Sequence, residues 1–224
     1  ARPEFYDFDL IGRIAPEAID DRPLRALDYV VFDTETTGLN PSQGDRMISI
    51  AGVRIVNGRV LRGEVFDTLI NPRRRIPPAS TKIHHITEEM VEHAPFIEEV
   101  LPRFHAFCDG AVLVAHNAAF DMRFLTLQQD TCRVRFDNPV LDTVLLAAHL
   151  DGQADSLTLD TLAERFAIEI APEDRHTALG DSLATAELML RLIDMLEAAG
   201  VKTLRQAIEA SKTAGAIRKQ QAAY

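Results

Sequence analysis

Asp33 and Glu35 form an acidic pair directly after the apolar run Tyr29–Phe32, within the segment "FDTETTG". Residues i and i+2 of an extended chain point to the same side, so both carboxylates would share one face at the end of a strand. Two like charges this close repel each other unless a cation lies between them. The spacing therefore suggests a cation site, although for this pair alone a simple turn is the better interpretation.

Two further segments place carboxylates at helix starts. In "HNAAFD", Asp121 falls about one turn into a helix that Asn117 would cap, directly after a short apolar strand. In "RHTALGDSLAT", His176 precedes a long predicted helix and Asp181 lies in or near its first turn. Each segment also has a purely structural explanation, because helix N-termini favour carboxylates and capping side chains.

Taken together, the three segments supply four carboxylates, from Asp33, Glu35, Asp121 and Asp181. Carboxylate oxygens are the hard ligands that Mg²⁺ and Mn²⁺ prefer. A carboxylate cage with two such ions is an arrangement used for phosphodiester hydrolysis. Histidine is the side chain best suited to exchange protons near neutral pH, so His176 could take a proton from the attacking water.

The segments "FDTETTG", "HNAAFD" and "HTALGD", in this order, resemble the three motifs of the DEDDh group of 3′–5′ exonucleases, whose best-known member is the epsilon proofreading subunit of bacterial DNA polymerase III. The resemblance covers roughly Tyr29 to Gly200 and implies an RNase H-like fold with two divalent ions, Mg²⁺ or Mn²⁺. It makes the four carboxylates the metal ligands and His176 the general base. The implied reaction releases nucleoside 5′-monophosphates from the 3′ end of single-stranded DNA.

The resemblance also implies a pocket for the terminal nucleotide. Its residues would be Thr34, Thr36, Thr37, Gly38, Leu39, His84, Asn117 and Phe120, with Asp142 as a supporting residue. Thr36 and Thr37 could instead cap a turn, and Phe120 could belong to the core. The chain departs from the family at His85, where glycine is usual in an "H-G-I-T" segment, and at Ser182, where alanine is common.

Elements of alternating type must position these residues. Val30–Asp33 reads as a buried strand, and Asn57–Gly58 between two β-rich runs predicts a hairpin. Two more short strands, "AVLVAH" and "PVLDT", alternate with helices. The expected fold is α/β, a mixed five-stranded RNase H-like sheet with helices on both faces. Residues 1–28 would form an arm or linker, 29–200 the exonuclease domain, and 201–224 a basic C-terminal helix and tail.

The composition narrows the setting of this domain. No apolar run is long enough for a membrane span, and two cysteines in apolar segments fit buried thiols and a cytoplasmic protein. A net charge of −10 argues against broad, unspecific nucleic-acid binding. A local basic track is not excluded, and Arg73–Arg75 could contact phosphates, although a solvated loop explains it better. The first residue is Ala1, which fits a piece excised from a longer chain with upstream regulatory domains.

Three alternatives stay open at this point. The same core serves exoribonucleases and oligonucleotide-degrading enzymes, so RNA is a second possible substrate beside DNA 3′ ends. A non-catalytic, regulatory module on this fold is a minor alternative, because all five catalytic positions are present. Finally, the domain could be a polymerase accessory that docks through a stripe of tail residues, although packing of this helix on its own domain explains the stripe as well. The stripe consists of Leu204, Ala207, Ile208 and Ser211.

Overall fold

The computed structural model describes residues 21–152 and 156–221, with side chains up to residue 213. Five strands form one sheet: β1 Tyr29–Thr36, β2 Met47–Val56, β3 Arg59–Leu69, β4 Val112–Ala115 and β5 Val140–Asp142. Their spatial order is β3-β2-β1-β4-β5. The strands β1, β2 and β3 pair antiparallel, whereas β4 and β5 continue the sheet in parallel from β1. The mixed five-stranded sheet expected from the sequence is confirmed.

Eight α-helices flank this sheet in the described part of the chain. They are α1 Pro78–His84, α2 Glu88–Val91, α3 Ile97–Phe107, α4 Ala118–Cys132, α5 Thr143–Leu150, α6 Leu159–Arg165, α7 Ala178–Ala198 and α8 Leu204–Gln221. One apolar core lies between the sheet and the layer that contains α7, and a second lies between the sheet and the layer of α3 and α4. Helices therefore cover both faces, as predicted.

Strand β1 is buried along its whole length because it lies in the middle of the sheet. Tyr29 and Val31 belong to the core on the α7 side, and Val30 and Phe32 belong to the core on the α3 and α4 side. A strand covered on both faces reads as an unbroken apolar run, which is why the sequence shows no alternation here. The strand extends to Thr36, three residues beyond the predicted end at Asp33.

The hairpin between β2 and β3 turns at Asn57 and Gly58, as predicted. Both residues have positive φ, 51° and 69°, the combination that a two-residue type I′ turn requires. This turn lies at the end of the sheet opposite the acidic pair, since Asn57–Gly58 follows the residues that pair with the start of β1. The hairpin thus extends the sheet and leaves the C-terminal end of β1 open.

The chain ends meet on one side of the domain. The Leu24 backbone N–H donates to Lys202 O at 2.9 Å, and Leu204 N–H donates to Arg22 O at 3.3 Å. The stripe of Leu204, Ala207 and Ile208 is buried in the same core as α7, so it packs on its own domain. Most of the predicted N-terminal arm, residues 1–20, lies outside the described residues. Among the described helices, none combines the length and the apolar character that a bilayer crossing requires.

Candidate active site

Three carboxylates converge at the C-terminal end of β1. Ligand oxygens of Asp33, Glu35 and Asp181 all lie within 4.8 Å of one another. The alternation of β1 explains the pair, because Asp33 and Glu35 point to the same side as Tyr29 and Val31, toward α7. A register shift between Glu35 and Thr36 ends the regular pairing with β2 directly after the pair. The acidic spacing in the sequence therefore corresponds to a real cluster.

Helix α7 delivers Asp181 from its first turn. Thr177 caps this helix through its hydroxyl, which accepts from Gly180 N–H at 3.0 Å. A Cβ atom at Gly180 would lie 2.0 Å from the carbonyl oxygen of Asp174, so only glycine allows the preceding loop to pack this closely. That loop carries His176, whose backbone N–H donates to an Asp181 oxygen at 3.3 Å. The loop and Asp181 are thus joined at the start of α7.

Ser182 ties α7 to the sheet beside this cluster. Its buried hydroxyl lies 2.6 Å from Ala178 O and 3.2 Å from Ala51 O, and donates to these carbonyls. Ala51 is the β2 residue that pairs with Asp33. The serine that replaces the family's usual alanine therefore adds a link between the helix of Asp181 and the strand next to Asp33.

Replacing Ser182 with alanine should lower the free energy of unfolding by about 1 kcal/mol, because a buried hydrogen bond to β2 is lost. In a chain of this size that corresponds to a fall in Tm of about 2–4 °C. The matched control is Ser211→Ala, whose hydroxyl bonds only within its own helix, to Ala207 O at 3.0 Å. Equal Tm values for the two variants would show that the bond to Ala51 does not stabilise the domain.

Asp121 is not one of the three carboxylates of the cluster and is linked to β1 through Thr34. Asp121 is fully buried in the first turn of α4, and the Thr34 hydroxyl donates to its Oδ1 at 2.6 Å. Thr34 points to the face of β1 opposite Asp33 and Glu35, because strand residues alternate. With 1% of its surface exposed, Thr34 is buried and its hydroxyl is committed to Asp121. The sequence placed Thr34 in the nucleotide pocket; the structure places it behind the site.

The sequence suggested that Asn117 caps α4. In the structure the start of α4 is instead held by Asp142. Asn117 has a left-handed backbone (φ 70°) and its side chain makes no capping hydrogen bond. The two Asp142 carboxylate oxygens instead accept from Asn117 N–H and Ala118 N–H, each at 3.0 Å, and Oδ1 also accepts from Val144 N–H at 2.8 Å. Asp142 thus fixes the N-termini of both α4 and α5, and with them the position of Asp121.

His116 joins three segments beneath the site. Its Nδ1 lies 2.8 Å from Thr143 Oγ1, and its Nε2 lies 2.9 Å from Leu157 O. A carbonyl can only accept, so Nε2 carries the proton and Nδ1 accepts from the threonine hydroxyl. His116 therefore links the end of β4 to the start of α5 and to the segment before α6.

Asp45 organises the loop that follows β1, a role that no motif in the sequence indicated. Its Oδ1 accepts from the Thr37 hydroxyl and its Oδ2 from Asn40 N–H, both at 3.0 Å. A Cβ at Gly38 would lie 2.3 Å from Asp45 Oδ2, so the loop needs glycine there. The Thr36 hydroxyl donates to Gly38 O at 2.7 Å. The hydroxyls of both threonines are thus used within the loop, and Leu39 remains 39% exposed beside it.

Helix α1 closes the other side of this loop and ends at His84. The Ser80 hydroxyl donates to Thr37 O at 2.8 Å, which fixes α1 against the loop. His84 is buried, and its Nδ1 accepts from Ile86 N–H at 3.0 Å. Burial lowers the pKa of His84, as does the neighbouring His85, whereas the Thr36 carbonyl opposes this shift. His84 is therefore neutral near pH 7, with the proton on Nε2.

Two buried polar atoms near the loop make no hydrogen bond of ordinary length among the described residues, although the Thr36 carbonyl lies close enough to His84 to affect its pKa. They are His84 Nε2 and Asn117 Oδ1. Buried polar atoms are normally satisfied, so a pair left over at one end of a sheet is consistent with a bound polar molecule. Phe120, in contrast, is buried and packs edge-on against Phe124 with the ring centroids 5.1 Å apart. Its ring belongs to the core at the edge of this region.

His85 stands where the family usually has glycine, and its backbone conformation explains that preference. Its backbone has φ 60°, in the left-handed region, and its N–H donates to Thr81 O as α1 ends. A non-glycine residue in this conformation lowers the stability of the folded state by about 1–2 kcal/mol. Glycine avoids this cost, but its unfolded chain has more conformational freedom to lose on folding, so the net advantage of glycine is smaller. The histidine is tolerated, and the turn keeps the geometry that glycine would adopt.

Replacing His85 with glycine should raise the free energy of unfolding by about 0.5–1 kcal/mol, because the left-handed strain disappears. The control is His93→Gly, an exposed histidine that lacks a positive φ. That substitution should destabilise by a similar amount, since glycine there only adds unfolded-state entropy. Denaturant unfolding measures both, and a loss of stability in His85→Gly would contradict the strain.

His176 lies on an exposed loop and has a left-handed backbone (φ 57°). Its backbone contact with Asp181 places it at the mouth of the carboxylate cluster. The side chain of His176 is exposed, unlike that of the buried His84.

The cluster has the chemistry of a divalent-cation site. All its donors are carboxylate oxygens, Asp33 and Glu35 are buried, and the spacing within 4.8 Å is compact enough for shared ions. The residues present therefore fit Mg²⁺ or Mn²⁺. A fourth carboxylate, that of Asp121, lies on α4. It accepts a hydrogen bond from Thr34, the β1 residue between Asp33 and Glu35.

The family of this chain follows from a comparison with known protein families. A model described as Exonuclease (RNase T) matches residues 30–189, most of the chain. The chain belongs to this exonuclease family. Within it, the pattern of four acidic positions and one histidine makes this a DEDDh-type exonuclease domain, as the sequence motifs predicted.

Relatives of this exonuclease domain include replication proteins. The chain is 57% identical over 202 residues to a DNA polymerase III subunit epsilon-like protein of Rhodobacter capsulatus, covering 90% of this chain and 29% of the relative. It is 41% identical over 179 residues to a PolC-type DNA polymerase III of Caldanaerobacter subterraneus, covering 80% of this chain and 12% of that protein. The chain thus spans less than a third of the length of these curated relatives.

A solved structure of exonuclease X in complex with 5′ overhanging duplex DNA has the same fold. The TM-score is 0.65 with 29% sequence identity, and the match covers 82% of this chain and 99% of the other. This likeness extends over the sheet and the helices that carry the acidic cluster. It supports the RNase H-like architecture predicted from the motifs.

Proposed function

We propose that this exonuclease domain is a metal-dependent 3′–5′ exonuclease that releases nucleoside 5′-monophosphates from single-stranded DNA. The observation that carries the proposal is the convergence of Asp33, Glu35 and Asp181 within 4.8 Å at the end of β1. Three buried or half-buried carboxylates this close repel one another, and bound cations relieve that repulsion. The DEDDh resemblance and the match to exonuclease relatives point to the same chemistry.

Each residue of the site has a role in this proposal. Asp33, Glu35, Asp121 and Asp181 hold two Mg²⁺ or Mn²⁺ ions, which supply Lewis-acid chemistry when bound. Thr34 and Asp142 position Asp121, one through the carboxylate and the other through the N-terminus of α4. His176 takes a proton from the attacking water; the backbone contact of His176 with Asp181 and its exposed side chain support this role.

The terminal nucleotide binds in the pocket between the loop after β1 and the end of α1. Backbone atoms of Thr36, Thr37 and Gly38 offer contacts there, since the threonine hydroxyls are used within the loop. The exposed Leu39 supplies an apolar surface against a base. His84 Nε2 and Asn117 Oδ1 make no hydrogen bond of ordinary length among the described residues and are available to polar groups of the nucleotide.

A polymerase is the partner that the relatives suggest. Proteins named as DNA polymerase III PolC-type contain a region similar to this chain. The epsilon-like relative is about three times as long as this chain. We therefore propose that the domain acts in the cytoplasm on DNA 3′ ends, beside a polymerase or further domains of a longer chain. The C-terminal stripe on α8 does not provide the docking surface, because it is buried in the domain's own core.

The experiment that tests the reaction uses 5′-labelled DNA and RNA oligonucleotides of equal sequence with Mn²⁺. A DNA ladder that shortens from the 3′ end, with mononucleotides as products, is the expected result. Faster shortening of RNA would favour the exoribonuclease alternative. If neither nucleic acid is shortened, the enzymatic proposal fails and the non-catalytic alternative remains.

A further inference from the structure

An open groove of about 570 Å³ lies beside the active site, and the proposed reaction does not use it. We call it the outer groove. Its apolar lining consists of Met47, Ile70, Phe124 and Leu127, and its basic lining consists of Arg46, Arg73 and Arg74. Met47, Ile70 and Phe124 are buried beneath it, whereas Leu127 is 39% exposed. Its volume lies in the range of about 300–1,000 Å³ that is typical of ligand clefts.

The outer groove adjoins the loop that borders the proposed nucleotide pocket. Met47 pairs with Thr36 across β1 and β2, and the Arg46 carbonyl accepts from Thr37 N–H at 2.8 Å. On the helix side, Phe124 lies three residues after Asp121, about one turn along α4, and packs against Phe120. The groove is therefore lined by residues next to that loop and by the helix that carries Asp121.

The arginines of the groove differ in how they are used. Arg73 is paired with Glu98 at 2.6 Å and stacks on Phe96, with 3.8 Å between its guanidinium carbon and the ring centroid. Arg74 is paired with Asp45 at 3.1 Å. Two of the three arginines in the basic run Arg73–Arg75 are therefore already engaged in ion pairs.

Arg46 is the exception. Its side chain is exposed, and no ion pair or side-chain hydrogen bond of Arg46 occurs among the described residues. With Arg73 paired to Glu98 and Arg74 paired to Asp45, Arg46 leaves one unbalanced positive charge at the groove, in a chain whose net charge is −10. An apolar floor beside an unpaired guanidinium suits a ligand that joins apolar faces to negative charges, as single-stranded nucleic acid does.

We propose that the outer groove binds the single strand upstream of the terminal nucleotide, with Arg46 contacting a phosphate and the apolar floor contacting a base. This inference rests on the proposed function and adds to it a second binding region on the same strand. It assigns the groove to nucleic acid and not to an acidic protein segment, because two of its residues, Arg46 and Met47, lie directly beside the loop proposed to hold the 3′ end.

The test compares Arg46→Ala with Arg59→Ala by steady-state hydrolysis of DNA oligonucleotides of 3 and 12 nucleotides with Mn²⁺. Arg59 is an exposed arginine with no ion pair among the described residues, and it lies at the opposite end of the sheet beside the hairpin turn. For the 12-mer, Arg46→Ala should raise KM about tenfold with kcat unchanged, as loss of a charge-assisted contact predicts. For the 3-mer, which extends only two nucleotides beyond the terminal one and reaches less of the groove, the rise in KM in Arg46→Ala should be clearly smaller, and Arg59→Ala should match the unmodified protein on both substrates.

Salt dependence gives a second readout. The slope of log affinity against log salt for the 12-mer should become shallower by about 0.7 in Arg46→Ala, the value for one lost contact to a single-strand phosphate. Equal effects on the 3-mer and the 12-mer would place Arg46 at the terminal nucleotide and overturn the groove assignment, as would no effect on either. Absence of any hydrolysis by the unmodified protein would instead refute the proposed function, so the two failures are distinguishable.

Discussion

Replacing Asp33 with asparagine should abolish nearly all hydrolysis while leaving the fold intact. The side chain keeps its shape but loses the charge that holds a cation between Asp33, Glu35 and Asp181. Metal ions contribute several kcal/mol to such reactions, so kcat should fall by a factor on the order of 10³ or more. Single-turnover rates on a 5′-labelled oligonucleotide measure this loss.

Stability in the presence and absence of metal provides an independent readout for Asp33→Asn. In EDTA, removal of one of three close negative charges should raise Tm by about 2–4 °C, equivalent to about 1 kcal/mol. Added Mn²⁺ should then stabilise the unmodified protein more than the variant, because binding to the folded state raises stability. The control is Asp137→Asn, an exposed carboxylate with no ion pair among the described residues. A variant that keeps both full activity and the Mn²⁺ response would refute the metal assignment of Asp33.

Replacing Thr34 with valine should lower kcat by about 10- to 100-fold without changing KM. Valine has nearly the same shape, but the 2.6 Å hydrogen bond to buried Asp121 is lost. A hydrogen bond to a charged group contributes about 1.5–3 kcal/mol, and Asp121 would no longer be held toward β1. Because Thr34 is buried, the substrate should bind as before.

Serine at this position distinguishes positioning from packing. Thr34→Ser keeps the hydroxyl and should restore most of the activity, although it removes a buried methyl group. Titration of Mn²⁺ by calorimetry, without substrate, should show weaker binding in the valine variant and near-normal binding in the serine variant. A raised KM with unchanged kcat in Thr34→Val would instead support the nucleotide contact that the sequence motif suggested.

The sequence predicted the elements of this site better than their mutual orientation. Asp33, Glu35 and Asp181 could be grouped from spacing and motif order, because period-two alternation and helix starts are local features. The contacts that hold Asp121 could not be predicted. One is the hydrogen bond from Thr34, which points to the other face of β1. The other support is the carboxylate of Asp142, which lies 25 and 24 residues from the Asn117 and Ala118 N–H groups that it bonds. Long-range side-chain bonds of this kind leave no periodic signal.

Loop geometry was the other feature beyond the reach of the sequence. Thr36 and Thr37 were assigned to the nucleotide, yet their hydroxyls are bonded inside the loop, and Asp45 was not noticed because no motif includes it. Gly38 and Gly180 were visible as motif glycines, but the reason for each is a close approach, to Asp45 and to the Asp174 carbonyl respectively. Such contacts depend on how separate segments meet in three dimensions.

The alternation of β1 has a consequence for the folding of the protein. Asp33 and Glu35 face the layer of α7, whereas Thr34 faces the layer of α4 and holds Asp121 there. The acidic centre therefore straddles two separate hydrophobic cores and is complete only when both have formed. A chain newly made or partly unfolded, with either layer detached, would lack at least one carboxylate. Hydrolytic competence would thus appear only at the end of folding.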